Sequence, residues 1–165
     1  MQLKTLLNRV HPLKSFVYKR VRITASDGSL GIELVIEPRH NTRPVCSGCG
    51  RKRPGYDHQP EPRRFQFVPL WGIAVCFLYT MRRVDCPRCG VTVELIPWAE
   101  GKHHLTTTYR WFLARWAQRL AWQEVAGVFR TSWENVFRSV EMAVRWGLDH
   151  RSLDGIEAIG VDEVQ

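Results

Sequence analysis

The sequence lacks any long apolar run. No window of its 165 residues approaches the ~20 consecutive apolar residues that a membrane-spanning helix requires. Its opening, MQLKTLLNRVHPLKSF, also lacks the long apolar core and small-residue cleavage site of a secretory leader. These absences argue against a membrane or secreted protein and predict a cytoplasmic one. With 44% hydrophobic residues, the chain still has enough apolar side chains to pack one ordinary domain or two small ones.

Acidic residues are few. The chain has 16 Asp and Glu against 24 Lys and Arg, a net charge of +8, which makes nucleic acid the first partner to consider. The stretch 51–64 holds much of the excess and is interrupted by proline and glycine, so it predicts a basic loop lying along DNA phosphates. The predicted phosphate contacts are Arg51, Lys52, Arg53, Arg63 and Arg64. A loop that is merely solvated is the alternative.

Cysteines are too few, and odd in number, for a disulfide framework. Four of the five fall in two copies of C-x-x-C-G, at 46–50 and 86–90, with 36 residues between the pairs. The glycine allows the backbone to turn under the sulfurs, whose thiolates then face one metal. This spacing predicts a structural zinc site with four ligands: Cys46, Cys49, Cys86 and Cys89. A redox pair and an iron–sulfur centre are the alternatives, and removal of zinc should unfold residues 46–89.

The segments around the cysteines have the alternation of β-strands. Residues 65–83 predict the hairpin of a zinc ribbon, in which Cys76 is a small buried hydrophobe. His58 is predicted to be solvated, because four cysteines already fill the zinc shell. Alternating apolar residues on either side of 26–29 predict a second hairpin that packs on the ribbon, and residues 1–15 predict a short helix ending before Pro12.

No proline follows Pro97, and the apolar period becomes helical. The spacing predicts a helix over about 106–120 and two more over 125–129 and 133–144, with a capping box at Thr131 and Glu134. The tight second connection indicates a helix-turn-helix unit, with Ser132, Asn135 and Arg138 facing DNA. Asn135 suits adenine and Arg138 suits guanine, and solvated surface residues are the alternative. The tryptophans of this region are predicted to be core residues: Trp111, Trp116, Trp122, Trp133 and Trp146.

The order of these features is recognisable. Paired C-x-x-C-G motifs, a helix-turn-helix after HHLTT and the ending IGVDE together resemble the N-terminal part of bacterial insertion-sequence transposases of the ISL-three family. The resemblance implies that the zinc-binding domain and helix-turn-helix recognise the terminal inverted repeats of the element. It also implies that Asp162 is the first Asp of an Asp-Asp-Glu triad, which would ligate magnesium or manganese in a complete RNase H-like domain. The chain ends three residues after Asp162, so the complete triad is absent from it.

The predicted fold class is therefore α+β: a small β-rich zinc-ribbon module followed by a three-helix helix-turn-helix domain. The predicted domains are 1–98, 99–150 and 151–165, the last being the start of a truncated catalytic domain. Double-stranded DNA is the predicted partner, and a nucleoid-associated bacterial protein is expected. The alternative is a protein-interaction module that forms a homo-oligomer, or a truncated transposase that inhibits transposition.

Overall fold

A computed structural model of the protein describes residues 2–26, 28–152 and 154. Within this part the chain is a mixed α and β fold. The helices are α1 (Leu3–Val10), α2 (Thr107–Trp116), α3 (Trp122–Val128) and α4 (Trp133–Asp149). The strands are β1 (Phe16–Ser26), β2 (Ser29–Pro38), β3 (Gly55–His58), β4 (Arg63–Leu70), β5 (Ile73–Tyr79), β6 (Arg82–Cys86) and β7 (Gly90–Val93). None of the helices in the described part is long and apolar enough to cross a membrane.

The larger sheet has four strands in the order β1-β2-β5-β4. The predicted hairpin before the first cysteine pair is confirmed: β1 and β2 pair antiparallel from Phe16↔Pro38 to Ser26↔Ser29. β5 lies parallel to β2 and antiparallel to β4. This parallel neighbour requires the chain to leave the sheet after β2 and to return later, and the first cysteine pair lies in that excursion.

The inner face of this sheet carries an aromatic core. Trp98 contacts Phe16 and Tyr79 edge to face, with ring centroids 4.9 and 5.2 Å apart, which suits the quadrupoles of the rings. The predicted N-terminal helix is confirmed as α1, whose Asn8 exchanges two hydrogen bonds of 3.2 Å with the backbone of Tyr18. The helix thereby closes one end of the core.

The smaller sheet has three strands in the order β3-β6-β7. The second cysteine motif is the turn between β6 and β7, and Cys46 of the first motif joins the chain after β7 through an isolated bridge to Glu94. The buried residues of this unit are few: Cys46, Val84 and Cys86. The prediction that 65–83 forms the zinc-ribbon hairpin is wrong, because β4 and β5 belong to the larger sheet. Their inward side chains include Phe65 and Phe77, which need a larger apolar core than the cysteine unit offers. The prediction of one loop over 51–64 is also wrong, since this stretch includes β3 and the start of β4.

The buried carboxylate of Glu94, which directly follows β7, links the two sheets by accepting from Arg82 on β6 and from Tyr79 on β5. The Glu94 carboxylate, with the residue only 2% exposed, accepts hydrogen bonds from Arg82 Nε at 2.9 Å and Arg82 Nη2 at 2.7 Å. The Tyr79 hydroxyl, at the end of β5, donates to the same carboxylate. Burial and the neighbouring Glu94 raise the pKa of Tyr79 well above its ordinary value, so the phenol stays protonated. The bidentate pair gives each charge a partner where little of either side chain is exposed to solvent.

The three C-terminal helices share a second core, formed by Leu105, Tyr109, Leu113, Val125, Ala126 and Val136. Thr106 caps α2, its hydroxyl accepting from Tyr109 N at 3.2 Å. The predicted capping box at Thr131 is wrong by one residue. Ser132 is the N-cap of α4 and accepts from Asn135 N at 3.2 Å, whereas Glu134 accepts from Arg138. Arg130 supplies the left-handed residue of the α3–α4 turn at φ +50°.

The helices attach to the edge of the larger sheet. Gln66 N on β4 donates to His104 O at 2.7 Å, and Thr106 N donates to Gln66 O at 2.9 Å. Val68 packs against both cores. The segment before α2 is therefore held as an extra edge partner of β4.

Candidate metal centre and nucleic-acid interface

The four cysteines of the paired motifs converge. Four Sγ atoms lie within 4.8 Å of one another, those of Cys46, Cys49, Cys86 and Cys89. Cys49 Sγ and Cys86 Sγ are 3.7 Å apart. Zn–S bonds of about 2.3 Å in a tetrahedron place sulfurs about 3.8 Å apart, so this separation suits zinc.

Each motif is shaped by its glycines. Gly50 and Gly90 have φ of +68° and +71°, the conformation that lets the chain reverse after each cysteine pair. Gly48 is needed for a different reason: a Cβ there would lie 3.0 Å from Cys89 Sγ. Close packing of the two motifs therefore requires the absence of a side chain at Gly48, a residue that the sequence interpretation passed over.

The surroundings of the sulfurs favour the thiolate at Cys49 and Cys86 and disfavour it at Cys89. A hydrogen bond from the Arg51 backbone lowers the pKa of Cys49. Burial opposes ionisation of Cys86, but hydrogen bonds from the Arg88 and Cys89 backbone outweigh it and lower its pKa to about 6. Burial and the neighbouring sulfurs raise the pKa of Cys89 to about 12. Four crowded thiols cannot all ionise without a cation between them, so the donor set fits a divalent metal ion such as zinc.

The residues predicted to contact phosphates lie in three different settings. Arg51 and Lys52 are exposed beside the first cysteine motif. Arg63 lies over the Phe65 ring at 4.9 Å, and Arg64 pairs with Glu33 at 2.6 Å on the larger sheet. Arg53 is half-buried, and the neighbouring Cys49 thiol raises the pKa of its guanidinium. The structure thus separates a set that the sequence interpretation placed on one loop.

The residues predicted to read bases lie at the start of α4. Ser132 caps the helix, and Asn135 is half-buried with its Nδ2 donating to Thr131 Oγ1 at 3.0 Å. Arg138 is exposed and forms an ion pair of 2.5 Å with Glu134. Of the three side chains, Arg138 has the greatest freedom to leave its partner for another, since an exposed pair is weak.

The prediction that the tryptophans form the core is wrong. Trp116, Trp133 and Trp146 are exposed, and Trp111 and Trp122 are only half-buried. Trp133 stacks on Phe137 with the ring planes 12° apart and their centroids 5.5 Å apart. The smaller side chains Val125 and Val136 fill the interior, and the large rings lie at its margin.

Asp162, the candidate first member of the catalytic triad, lies outside the described residues. So do most of the residues in the predicted domain 151–165.

Comparison with curated protein sequences found similarity to two transposase sequences. Two curated sequences, from strains CDC 1551 / Oshkosh and ATCC 25618 / H37Rv of Mycobacterium tuberculosis, are each named transposase for insertion sequence element IS1557. Each is 28% identical to this chain over 164 residues, which cover 92% of this chain and 35% of the relative. The chain is similar to an insertion-sequence transposase. It spans about a third of the length of the curated relatives it matches. No protein-family profile matches the chain, and no solved structure is significantly similar to it.

Proposed function

We propose that this chain is the DNA-binding, N-terminal part of an insertion-sequence transposase of the ISL-three family and recognises the terminal inverted repeats of its element. The observation that carries the proposal is the similarity to an insertion-sequence transposase over 92% of the chain. In the proposed arrangement, α3 and α4 form a helix-turn-helix, and a zinc ion held by the four cysteines stabilises the smaller sheet. Magnesium or manganese would act only in a complete catalytic domain.

The geometry of α3 and α4 supports this role. α3 ends at Val128 and α4 begins at Trp133, a connection short enough for a helix-turn-helix. Val125 and Val136 are fully buried between the helices, while Arg138 and Glu134 stay on the open side of α4. An exposed arginine near the start of the second helix is well placed to reach base edges in the major groove.

The test is selection from a random duplex library with the zinc-loaded chain at two salt concentrations. We expect enrichment of one sequence and an affinity that falls steeply with salt, because phosphate contacts release counterions. Tight binding without enrichment would contradict specific end recognition, and the absence of binding would contradict the DNA-binding role altogether.

Arg138→Ala tests the base-reading assignment. We expect it to relax preference at one base pair by about 1–3 kcal/mol while leaving binding to other sequences unchanged. Arg145→Ala is the matched control, because Arg145 lies on the same helix and forms the same type of ion pair, with Glu141 at 3.4 Å. Equal declines on matched and scrambled duplexes would contradict the assignment.

Arg63→Ala and Arg64→Ala test the proposed phosphate contacts. Each variant should bind all sequences more weakly, with a salt slope smaller by about 1, because phosphates carry no sequence information. Lys19→Ala is the matched control on the same sheet, since Lys19 is exposed and paired with Glu37 at 3.7 Å, as Arg64 is paired with Glu33. An unchanged salt slope in either arginine variant would contradict its phosphate contact.

A second candidate function is self-association through α4. Four side chains on one stripe of this helix are between 41% and 56% exposed: Trp133, Phe137, Val144 and Leu148. The charged flank beside the stripe alternates Glu134, Arg138, Glu141 and Arg145. In an antiparallel pair of α4 helices, Glu134 would approach the partner's Arg145 and Arg138 would approach the partner's Glu141, whereas a parallel pair would oppose like charges.

This association would cover the side of α4 that carries Arg138, so it would compete with DNA binding by the same helix. Experiments can therefore distinguish self-association from DNA recognition. Val144→Glu should abolish a concentration-dependent dimer in sedimentation velocity. Val128→Glu is the matched control, an exposed valine on α3 outside the stripe. A monomer at every concentration of the unmodified chain would remove this candidate.

A further inference from the structure

A bulge in β1 places two arginines on the outer face of the larger sheet, the side opposite the aromatic core. The register of the β1–β2 pairing shifts between Tyr18 and Arg20, which leaves Lys19 as the extra residue. Side chains alternate between the two faces of a strand, and Tyr18 is buried, so Arg20 would point into the core without this shift. A bulge re-aims the residues that follow it. Arg20 and Arg22 are accordingly both exposed.

The acidic residues of this face are already paired with other cations. Glu33, which lies opposite Arg22 in the register, forms an ion pair of 2.6 Å with Arg64. Glu37 forms an ion pair of 3.7 Å with Lys19. Neither arginine of the bulged strand forms an ion pair with any residue in the described part of the chain. Their charges are therefore available to an anionic partner.

The two arginines line an open groove of about 380 Å³. Two half-buried apolar residues of its lining, Val35 and Leu78, lie opposite each other in the pairing of β2 with β5. His58 and Pro62, at the two ends of the segment between β3 and β4, line it as well. Three arginines and a single carboxylate contribute to the lining. The groove thus combines excess positive charge with a strip of apolar surface.

One row of side chains connects this groove with Arg64 on the opposite edge strand. Residues that are paired in register carry their side chains on the same face of a sheet. The row runs across all four strands as Arg20, Val35, Leu78 and Arg64. Strands lie about 4.8 Å apart, so the row spans about 14 Å. An extended anion that contacts Arg64 can therefore continue across the face to Arg20.

A DNA backbone has the chemistry that this face would recognise. It alternates phosphates with apolar deoxyribose, and the planar guanidinium fork of arginine matches a phosphate group. Arg20 and Arg22 are two residues apart on an extended strand, about 7 Å, a separation at which each can take a different phosphate of one DNA strand. The face is open along the edge strand β1, as a long ligand requires.

We propose that the outer face of the larger sheet binds the phosphodiester backbone of duplex DNA, with Arg20 and Arg22 as its phosphate contacts on β1. This inference rests on the proposed DNA-binding function. It adds a surface that lies far in sequence from both α4 and the basic stretch 51–64. The charge pattern of the sequence did not single out these two arginines, because they alternate with the apolar residues of a strand.

The first experiment measures the affinity of the full, zinc-loaded chain for matched and scrambled duplexes over a range of salt concentrations. Arg20→Ala and Arg22→Ala should each reduce the slope of log affinity against log salt by about 1, with binding about fivefold weaker near 0.15 M salt. The double variant should reduce the slope by about 2. The loss should be equal on both duplexes, because phosphate contacts carry no sequence information. Lys19→Ala, which removes a neighbouring cation that is already paired, is the matched control and should leave the slope unchanged.

Conservative variants separate a phosphate contact from a structural role. Arg20→Lys and Arg22→Lys keep the charge, and lysine also binds phosphate as a point charge, so the salt slope should stay close to that of the unmodified chain. The alanine variants should unfold in urea at the same midpoint as the unmodified chain, because both side chains are exposed. A slope that falls as far in the lysine variants as in the alanine variants would overturn the phosphate contacts.

A hydroxyl-radical footprint at saturating protein locates the contact on the DNA. The double variant of Arg20→Ala with Arg22→Ala should lose protection at one edge of the footprint and keep it elsewhere, whereas Lys19→Ala should give the full footprint. Either an unchanged slope or an unchanged footprint in the double variant would overturn this inference while leaving DNA binding by α4 intact. If the unmodified chain binds no duplex DNA at any salt concentration, the proposed function fails and this inference fails with it.

Discussion

At the scale of single residues, Glu94 is the most deeply buried charged residue in the part of the chain that the structure describes. Its side chain is fully buried, and each of its carboxylate oxygens accepts a hydrogen bond from Arg82. Glu94→Gln would leave the Arg82 guanidinium, only 12% exposed, without a counter-charge. Removing one member of a buried ion pair costs about 3–5 kcal/mol, so we expect the free energy of unfolding, measured by urea denaturation, to fall by that amount.

The control for this prediction is Glu37→Gln. Glu37 pairs with Lys19 at 3.7 Å, and both side chains are more than a third exposed. Surface pairs contribute about 0–1 kcal/mol, so this variant should unfold close to the unmodified chain. Equal losses of unfolding free energy in the two variants would contradict the stabilising role that its geometry indicates for Glu94 between the two sheets.

Gly48 decides how closely the two cysteine motifs approach. In Gly48→Ala the new methyl would lie 3.0 Å from Cys89 Sγ and 3.3 Å from Cys89 Cβ, so the motifs must separate. We expect a weaker affinity for zinc, measured by chelator competition. Gly55→Ala is the matched control, because a Cβ at Gly55 meets nothing within 4 Å. An unchanged affinity in Gly48→Ala would mean that the cluster accommodates the methyl group without strain at the metal.

At the scale of elements, the start of α4 offers a direct test of which residue caps it. Ser132 Oγ accepts from Asn135 N, so Ser132→Ala should lose about 1 kcal/mol of the free energy of unfolding. Thr131→Ala should lose less, because Thr131 receives only a side-chain hydrogen bond from Asn135. Urea unfolding of both variants measures the difference, and a larger loss in Thr131→Ala would restore the cap that the sequence pattern predicts.

Elements that carry a recognisable sequence signal could be predicted, and pairings that carry none could not. The turn at 26–29 encodes β1–β2 locally, and the repeated C-x-x-C-G motif marks both halves of the cysteine cluster although 36 residues lie between them. The strand pair and the cluster are both present. The parallel pairing of β2 with β5 joins Ile32 to Val75 across forty-odd intervening positions, and no local pattern encodes it. The alternation of side chains in β5 predicts a strand, but the same pattern fits a strand in either of the two sheets.

The helical region shows a second limit of sequence patterns. Apolar spacing predicted the three helices, and their shared core includes Tyr109, Val125 and Val136 as that spacing indicates. It could not distinguish a buried ring from an exposed one, because a tryptophan at a helical position satisfies the same period whether or not anything covers it. Trp133 and Trp146 are examples, because both fit the helical period and both are about half exposed.

For the whole molecule, the two sheets depend on different sources of stability. The larger sheet has a cluster of sixteen buried residues that includes Phe77 and Trp98. The smaller sheet has Val84 and two cysteines, too little apolar surface to hold three short strands by itself. Its folding therefore depends on whatever holds the four sulfurs together, and zinc ligation would supply that free energy.

Removal of zinc should therefore unfold only part of the segment 46–89, whereas the cysteine spacing alone predicts that the whole segment unfolds as one unit. Hydrogen exchange after chelation should lose protection in β6 and β7, where Val84 pairs with Thr92, and retain it in β4 and β5, where Phe65 pairs with Phe77. The near-ultraviolet signal of Trp98 should persist, since its ring packs against Phe16 and Tyr79 in the other core. Restored zinc is the control and should return the protection. Loss of protection in all four strands together would mean that the hydrogen bonds of the buried Glu94 to Arg82 and Tyr79 couple the two sheets into one cooperative unit, although their cores are separate.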